Sequence, residues 1–217
     1  MNTLAEENYL KSIYHLSLTS INVSTNQLAA RLNTKAASVT DMLKKLADKQ
    51  LINYTRYQGV SLTPSGETVA VQIIRKHRLW EYFLVEKLNF KWDEVHEMAE
   101  EMEHISSKEL IDRLDKFMGY PKHDPHGDPI PDGDGHFSAH VLKPLASIGL
   151  NDTGVISGVL DHSSAFLQYL EKQSLTIGKT IKVTEIIAYD NSMVLQVENH
   201  QTHISRDVAA NLLITHE

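Results

Sequence analysis

Cysteine is absent from the 217 residues, so neither a disulfide framework nor a thiolate zinc site can be built. Also absent is any run of 18 or more apolar residues, the length a membrane-spanning helix requires. The opening MNTLAEENYLKSIY carries acids and polar groups where a secretory signal needs a basic and then an apolar segment. The expectation is a cytoplasmic protein with no membrane partner. Aromatic residues are scarce at 7%, while 41% apolar and 23% charged residues suffice for two or three small domains. A surplus of positive charge is missing too, since the net charge is −7, which ordinarily speaks against a nucleic-acid partner. That value hides an asymmetry. Residues 1–76 carry nine Lys and Arg against five acids, or +4, and the rest carry twelve against 23, or −11. A basic head on an acidic body is a charge pattern aimed at a particular partner.

Periodicity divides what is there into a helical N-terminal part, a Pro/Gly-rich tether and a β-rich tail. Leu4, Tyr9, Leu10, Ile13, Tyr14 and Leu16 space like one helix face. Ser24 with Gln27 three residues on forms a capping box that opens a short helix over 25–32. After Asn33 and Thr34, a second helix is predicted over 35–49, with Val39, Leu43 and Leu46 inward. Two helices joined by so short a turn read as a helix-turn-helix. The β-like runs 51–54 and 60–63 flank Arg56-Tyr57-Gln58-Gly59 and read as a hairpin, hence a wing. A long helix starts near Pro64 and runs to Leu88. A second amphipathic helix is predicted from Asp93 to about Met118. Residues 119–135 hold four of the six prolines and read as a loop or linker. The runs 155–160, 180–187 and 193–197 look like strands, with a helical stretch at 166–171 between the first two, and a small barrel or sandwich follows naturally.

Short polar or methyl-bearing side chains on the first turns of a helix can approach base edges, and Lys or Arg can hold phosphates. Lys35, Ala37, Ser38 and Thr40 supply the first kind of contact here. Lys44, Lys45 and, from the wing, Arg56 supply the second. Tyr54 and Tyr57 are read as packing the wing.

His77 and Glu81 are four apart, and His96, Glu100, Glu103 and His104 fall at i, i+4, i+7 and i+8, so each set lies on one stripe of its predicted helix. Antiparallel packing of the two helices would make six imidazole and carboxylate groups face one another. Burying that much negative charge without a cation is costly, and a divalent ion offsets it. Two enzyme readings fail. His96-Glu97-Met98-Ala99-Glu100 begins like the zinc-protease motif but lacks the second His, and the Glu-x-x-His of 101–104 occurs once where a di-iron bundle needs it twice. The tether residues His123, His126 and His136 have nothing in the sequence to pre-organise them and read as solvated, and His200, His203 and His216 read as surface residues.

The stretches 6–14 (EENYLKSIY), 75–81 (RKHRLWE), 95–104 (VHEMAEEMEH) and 127–131 (GDPIP) resemble those of the diphtheria toxin repressor family of metal-dependent regulators. The tail resembles that family's SH3-like domain, also seen in FeoA proteins, through 152–154 and 175–183. The resemblance implies a multidomain, mainly α chain with β. It would comprise a winged helix-turn-helix over 1–66, a helical metal-binding and dimerisation domain over 67–120, a tether over 121–143 and a small all-β SH3-like domain over 144–217.

It further implies a regulatory metal site from Asn8, Glu100, Glu103 and His104, and an ancillary site from His77, Glu81 and His96, to which the tail could add His162 or Asp161. Iron-responsive members have Cys where Glu100 stands and Met where Asn8 stands. Oxygen donors in those places suit Mn²⁺, with Fe²⁺ the alternative, and two ions per subunit are expected. The manganese-sensing branch commonly has an Asp at the position of Asn8 and an acid at that of Lys11, so this chain departs from it twice. The implied function is a homodimeric repressor, not an enzyme and with no small-molecule substrate, that the metal locks onto a two-fold symmetric double-stranded operator. Leu79, Trp80, Phe83, Met98 and Met102 are expected at the dimer interface. A winged-helix protein that binds DNA constitutively around a structural metal site is the alternative.

Overall fold

The computed structural model describes residues 2–20, 22–55, 58–138 and 141–216. They form two compact units, one of 1–77, 100–113 and 131–136, the other of 78–99, 114–130 and 137–217.

In the first unit, α1 (Leu4–Ser17) starts at a capping box: the Thr3 hydroxyl accepts from the Glu6 backbone N–H and the Glu6 carboxylate accepts from that of Thr3. Four orphan N–H groups at a helix start explain why such a box stabilises it. The predicted Ser24–Gln27 box opens α2 (Thr25–Arg31), and α3 (Ala36–Asp48) follows from Lys35, which makes no side-chain cap. The wing is an antiparallel pair, β1 (Ile52–Thr55) with β2 (Gly59–Leu62), and Val23 bridges to Val60. Gly59 has a positive φ of 92° and its Cα faces Asn22, a conformation that costs other residues strain. Leu10, Ile13, Leu28, Val39, Leu43 and Leu46 are fully buried in one core, each contributing about 2 kcal/mol. Because α1 and α3 share that core, displacing one moves the other.

The helix α4 (Pro64–Leu88) begins in the first unit and ends in the second. The single helix expected over 93–118 is two: α5 (Val95–Met102) and α6 (Lys108–Phe117). The break has a local cause. Ile105 N–H turns back onto the Met102 carbonyl, and the Ser107 hydroxyl accepts from Leu110 N–H, capping the next helix. Glu103 and His104 therefore sit in the turn after α5, not on its stripe.

In the second unit, β3 (Lys143–Pro144), β4 (Thr153–Val159), β5 (Thr180–Ile186), β6 (Met193–Val197), β7 (His200–Ile204) and β8 (Leu212–His216) form one antiparallel sheet in the order β3-β8-β4-β5-β6-β7, not two facing sheets. Bulges interrupt the register at Ile156/Gly158 and Val183/Glu185 and bend the strands. The helices α7 (Ser164–Lys172) and α8 (Arg206–Asn211) accompany it; α8, β7 and β8 carry signals too short to read in advance. Alternate residues Ile181, Val183, Leu195, Val197 and Ile214 meet Leu167 and Leu170 in the core, and Trp92 packs against it.

Candidate metal centres

In the first unit, Glu103 is fully buried. Its Oε2 lies 2.6 Å from His77 Nδ1 and 2.6 Å from the Lys11 ammonium, which also reaches Glu100 Oε1 at 3.0 Å and His77 Nδ1 at 3.4 Å. One donor atom each of His77, Glu100 and Glu103 lie within 4.8 Å of one another. His77, expected in the ancillary set, also meets Glu103 through Nδ1. Beside this hub, His104 Nδ1 is 2.7 Å from Glu7 Oε2, and its Nε2 lies 3.8 Å from Glu103 Oε1. A carboxylate that accepts from Nδ1 leaves the Nε2 lone pair for a metal. Glu103 Oε1 and Asn8 Oδ1 are buried without a hydrogen-bond partner. Buried oxygens in that condition are costly unless something fills their valence, and an oxygen- and nitrogen-bound divalent cation fits.

The tether contains the residue that sequence reasoning missed. His126, read as solvated, is 1% exposed. Its ring stacks on Trp92 and on His162, with centroids 6.2 and 4.9 Å away. What pre-organises it is local. The Asp124 carboxylate accepts from the backbone N–H groups of His126 and Asp128. Gly127, at φ 89°, brings the loop so close to β4 that a Cβ would lie 2.1 Å from the Ser157 carbonyl oxygen. An Asp followed by polar residues two and four positions on, with a glycine between, was the available signal.

His126 Nε2 donates to the Trp92 carbonyl at 2.8 Å, leaving Nδ1 buried, without a hydrogen-bond partner and 3.5 Å from Glu81 Oε2. His96 Nδ1 lies 3.2 Å from Glu81 Oε1. Glu81, Asp124 and His126, all buried, bring donor atoms within 4.8 Å of one another. Burial, with the charges of Glu81 and Asp128, pushes Asp124 up to about 7. For His126, burial opposes the charged ring, but the nearby carboxylate of Glu81 and the charge of Asp124 outweigh it and raise it to about 9. Both directions express one fact, an excess of buried negative charge. His162, the expected tail ligand, directs Nε2 to the Val159 carbonyl at 3.2 Å, and burial lowers its pKa. It stacks on the cluster.

Lys35, Ala37, Ser38 and Lys44 on or beside α3 are exposed. Thr40 is half-buried and donates to the Ala36 carbonyl. Thr40 and Lys44 line an open groove with Ser24, Thr25, Asn26, Tyr54 and Gly59, between the helices and the wing. Lys45 differs from expectation: its ammonium lies 3.1 Å from Glu6 Oε1, as Lys49 lies 2.8 Å from Oε2. Arg56 lies outside the described residues. Of the expected interface residues, Leu79 is fully buried and Trp80 is 6% exposed, so both pack inside the subunit, in correction of that expectation. Phe83, Met98 and Met102 are half-buried.

A winged helix coupled to buried clusters of carboxylate and imidazole defines a DNA-binding protein that takes metal ions. The chain matches the family profiles for the iron dependent repressor N-terminal DNA binding domain over residues 1–60, the iron dependent repressor metal binding and dimerisation domain over 63–132, and the FeoA domain over 143–216. It is 32% identical over 133 residues to the iron-dependent repressor IdeR of Mycobacterium tuberculosis (strain ATCC 25618 / H37Rv), which covers 60% of this chain and 58% of that protein. Among solved structures it is similar to a manganese-dependent transcriptional repressor in complex with manganese, at 30% identity and TM-score 0.87 over 98% of this chain and 100% of that one. It is also similar to the manganese regulator SloR, at 33% identity and TM-score 0.76 over 98% of each. The chain belongs to the diphtheria toxin repressor family of iron- and manganese-dependent repressors and carries a FeoA domain. That family consists of transcriptional repressors, not enzymes. No helix among the described residues is long and apolar enough to cross a membrane.

Proposed function

We propose that this protein is a metal-gated repressor that binds double-stranded operator DNA as a homodimer, with Mn²⁺ preferred over Fe²⁺ and two ions per subunit. The carrying observation is that one helix, α1, touches both halves of the device. Glu7 and Lys11 belong to the first cluster and Asn8, between them in sequence, has its Oδ1 buried without a hydrogen-bond partner, while Glu6, on the same helix, binds Lys45 and Lys49 at the C-terminal end of α3. Asn8, Glu103 and His104 would hold the regulatory ion, with Glu100 close by, and Glu81, His96, Asp124 and His126 the second. A divalent ion supplies positive charge that binds best when α1 and the turn after α5 are at one separation. Anything coordinated there shifts the population of head positions, and by linkage DNA tightens metal binding equally. Oxygen and imidazole donors without sulfur favour Mn²⁺. The division into a reading head (1–66), a helical body (67–120), a tether and a tail follows the same reading. Phe83, Met98 and Met102 remain the proposed dimer contacts, and two heads related by a two-fold axis call for a two-fold symmetric operator.

The test is fluorescence anisotropy with the chain's own promoter DNA and chelator-treated protein, adding Mn²⁺ or anaerobic Fe²⁺ separately. Chelation is expected to abolish binding, and Mn²⁺ to restore it at lower concentration than Fe²⁺. Tight binding that ignores both ions would establish the second reading, constitutive DNA binding around a structural site, which the ionic contacts of Lys11 with Glu100 and Glu103 favour. Light scattering that gave a monomer at micromolar concentration would overturn the dimer.

A further inference from the structure

The geometry points to Lys11 as a tethered cation that holds the place of a metal ion at the His77–Glu100–Glu103 hub and that an ion using those carboxylates must displace. This rests on the proposed metal-gated function and deepens it. The ammonium is within 3.4 Å of one donor atom of all three residues, so it stands where an ion bound to all three would stand. Its side chain is 11% exposed and that of Glu103 not at all. A buried carboxylate at 2.6 Å from an ammonium is a strong, desolvated pair.

Two consequences follow. Without metal, Lys11 neutralises the hub and ties α1 to α5 and the turn after it, so the ion-free protein keeps α1 close to its docked position. With metal, Glu100 and Glu103 Oε2 must be given up by Lys11 before both can coordinate, so the lysine raises the metal concentration at which the switch responds. Glu103 Oε1 and Asn8 Oδ1, which Lys11 does not occupy, are the atoms through which an incoming ion first engages.

The test compares the full-length protein with its Lys11→Met variant in Mn²⁺ calorimetry. The variant is expected to bind Mn²⁺ at least about tenfold more tightly in one of its binding classes, or to gain an ion, because a unit positive charge has left the hub. Removing the charge alone could tighten binding, so displacement is read separately in the wild type. The Lys11 ammonium is expected to give a protected ¹⁵N signal in the metal-free protein, and saturating diamagnetic Cd²⁺ should expose it to solvent exchange. That measurement also stands if Lys11→Met fails to fold. Unchanged Mn²⁺ binding in a folded variant, or an ammonium still protected at saturation, overturns the inference while metal-dependent DNA binding by the wild type leaves the function standing. Failure of the wild type to bind Mn²⁺ at all would overturn both.

Discussion

Glu103 and Glu81 are near-equivalents in two different units, and their surroundings differ in one respect. Each is a buried carboxylate with imidazoles on it: His77 and, more distantly, His104 on Glu103, and His96 and His126 on Glu81. Around Glu103 the neutralising charge is the amine of Lys11 on a four-carbon stem. Around Glu81 it is the proton of His126, while Arg78 is engaged by Asp124 and Asp128. His126, raised to about 9, keeps its proton at neutral pH, but a cation arriving beside it can drive that proton off to solvent, whereas an ammonium keeps its charge and must move bodily. On the proposed function, the second cluster would exchange a proton for an ion, and the first would exchange a lysine for one.

The sharpest way to break this comparison is to delete each hub. Glu103→Ala leaves the buried Lys11 ammonium with only the half-exposed Glu100 carboxylate as an anionic partner, and about 3 kcal/mol of stability should be lost in metal-free urea denaturation. Glu81→Ala leaves imidazoles that can shed their protons, so about 1–3 kcal/mol is expected. If the two losses come in the reverse order, the cation assignments are wrong.

A third buried carboxylate gives an intermediate case. Glu6 is fully buried while its cations are half exposed. Burial would raise its pKa, but hydrogen bonds from Lys49, the Thr3 backbone and Lys45 outweigh that and bring it from 4.5 to about 2. The folded value is the lower one, so the contribution is fully present above pH 4.5 and is lost as pH falls through about 2. Glu6→Gln should cost roughly 2 kcal/mol at pH 7 and flatten the acid limb of the stability profile. A variant whose stability falls with acid as steeply as the wild type would remove Glu6 as the link between α1 and α3.

These three carboxylates also mark what the sequence made legible. The spacing of Glu100, Glu103 and His104 was visible because α5 and its following turn hold them close in sequence, even though the helix stops before the last two. The capping box at Ser24 and the order helix, turn, helix, wing were visible for the same local reason. His126 was not, because its burial depends on Gly127 approaching β4 and on Trp92, contacts between segments far apart in the chain. Lys11 was visible only as a departure from a family pattern. That it pairs with Glu103, 92 residues away, is a tertiary fact. Lys45 illustrates the converse: a cation on the helix expected to face DNA looks free until a buried acid is placed beneath it.

At the exposed end of the series stands Lys44, 3.2 Å from Asp41 with side chains 64% and 79% exposed. Coulomb attraction between two hydrated groups is weak and screened, so Lys44→Ala should leave stability within about 0.5 kcal/mol of wild type. Its expected effect is on DNA binding. Lys44 lines the groove between α3 and the wing, and a phosphate contact there releases about one counterion. The variant should therefore bind operator more weakly and lower the slope of log affinity against log salt by about one. Lys45→Ala supplies the contrast, since its ammonium is held by Glu6: it should lose more stability than Lys44→Ala and change the salt slope less. Anisotropy titrations at several salt concentrations, with urea melts of the same proteins, decide the matter. Equal salt slopes for the two variants would mean that Lys45 leaves Glu6 when DNA arrives, and that the link between α1 and α3 opens in the bound state.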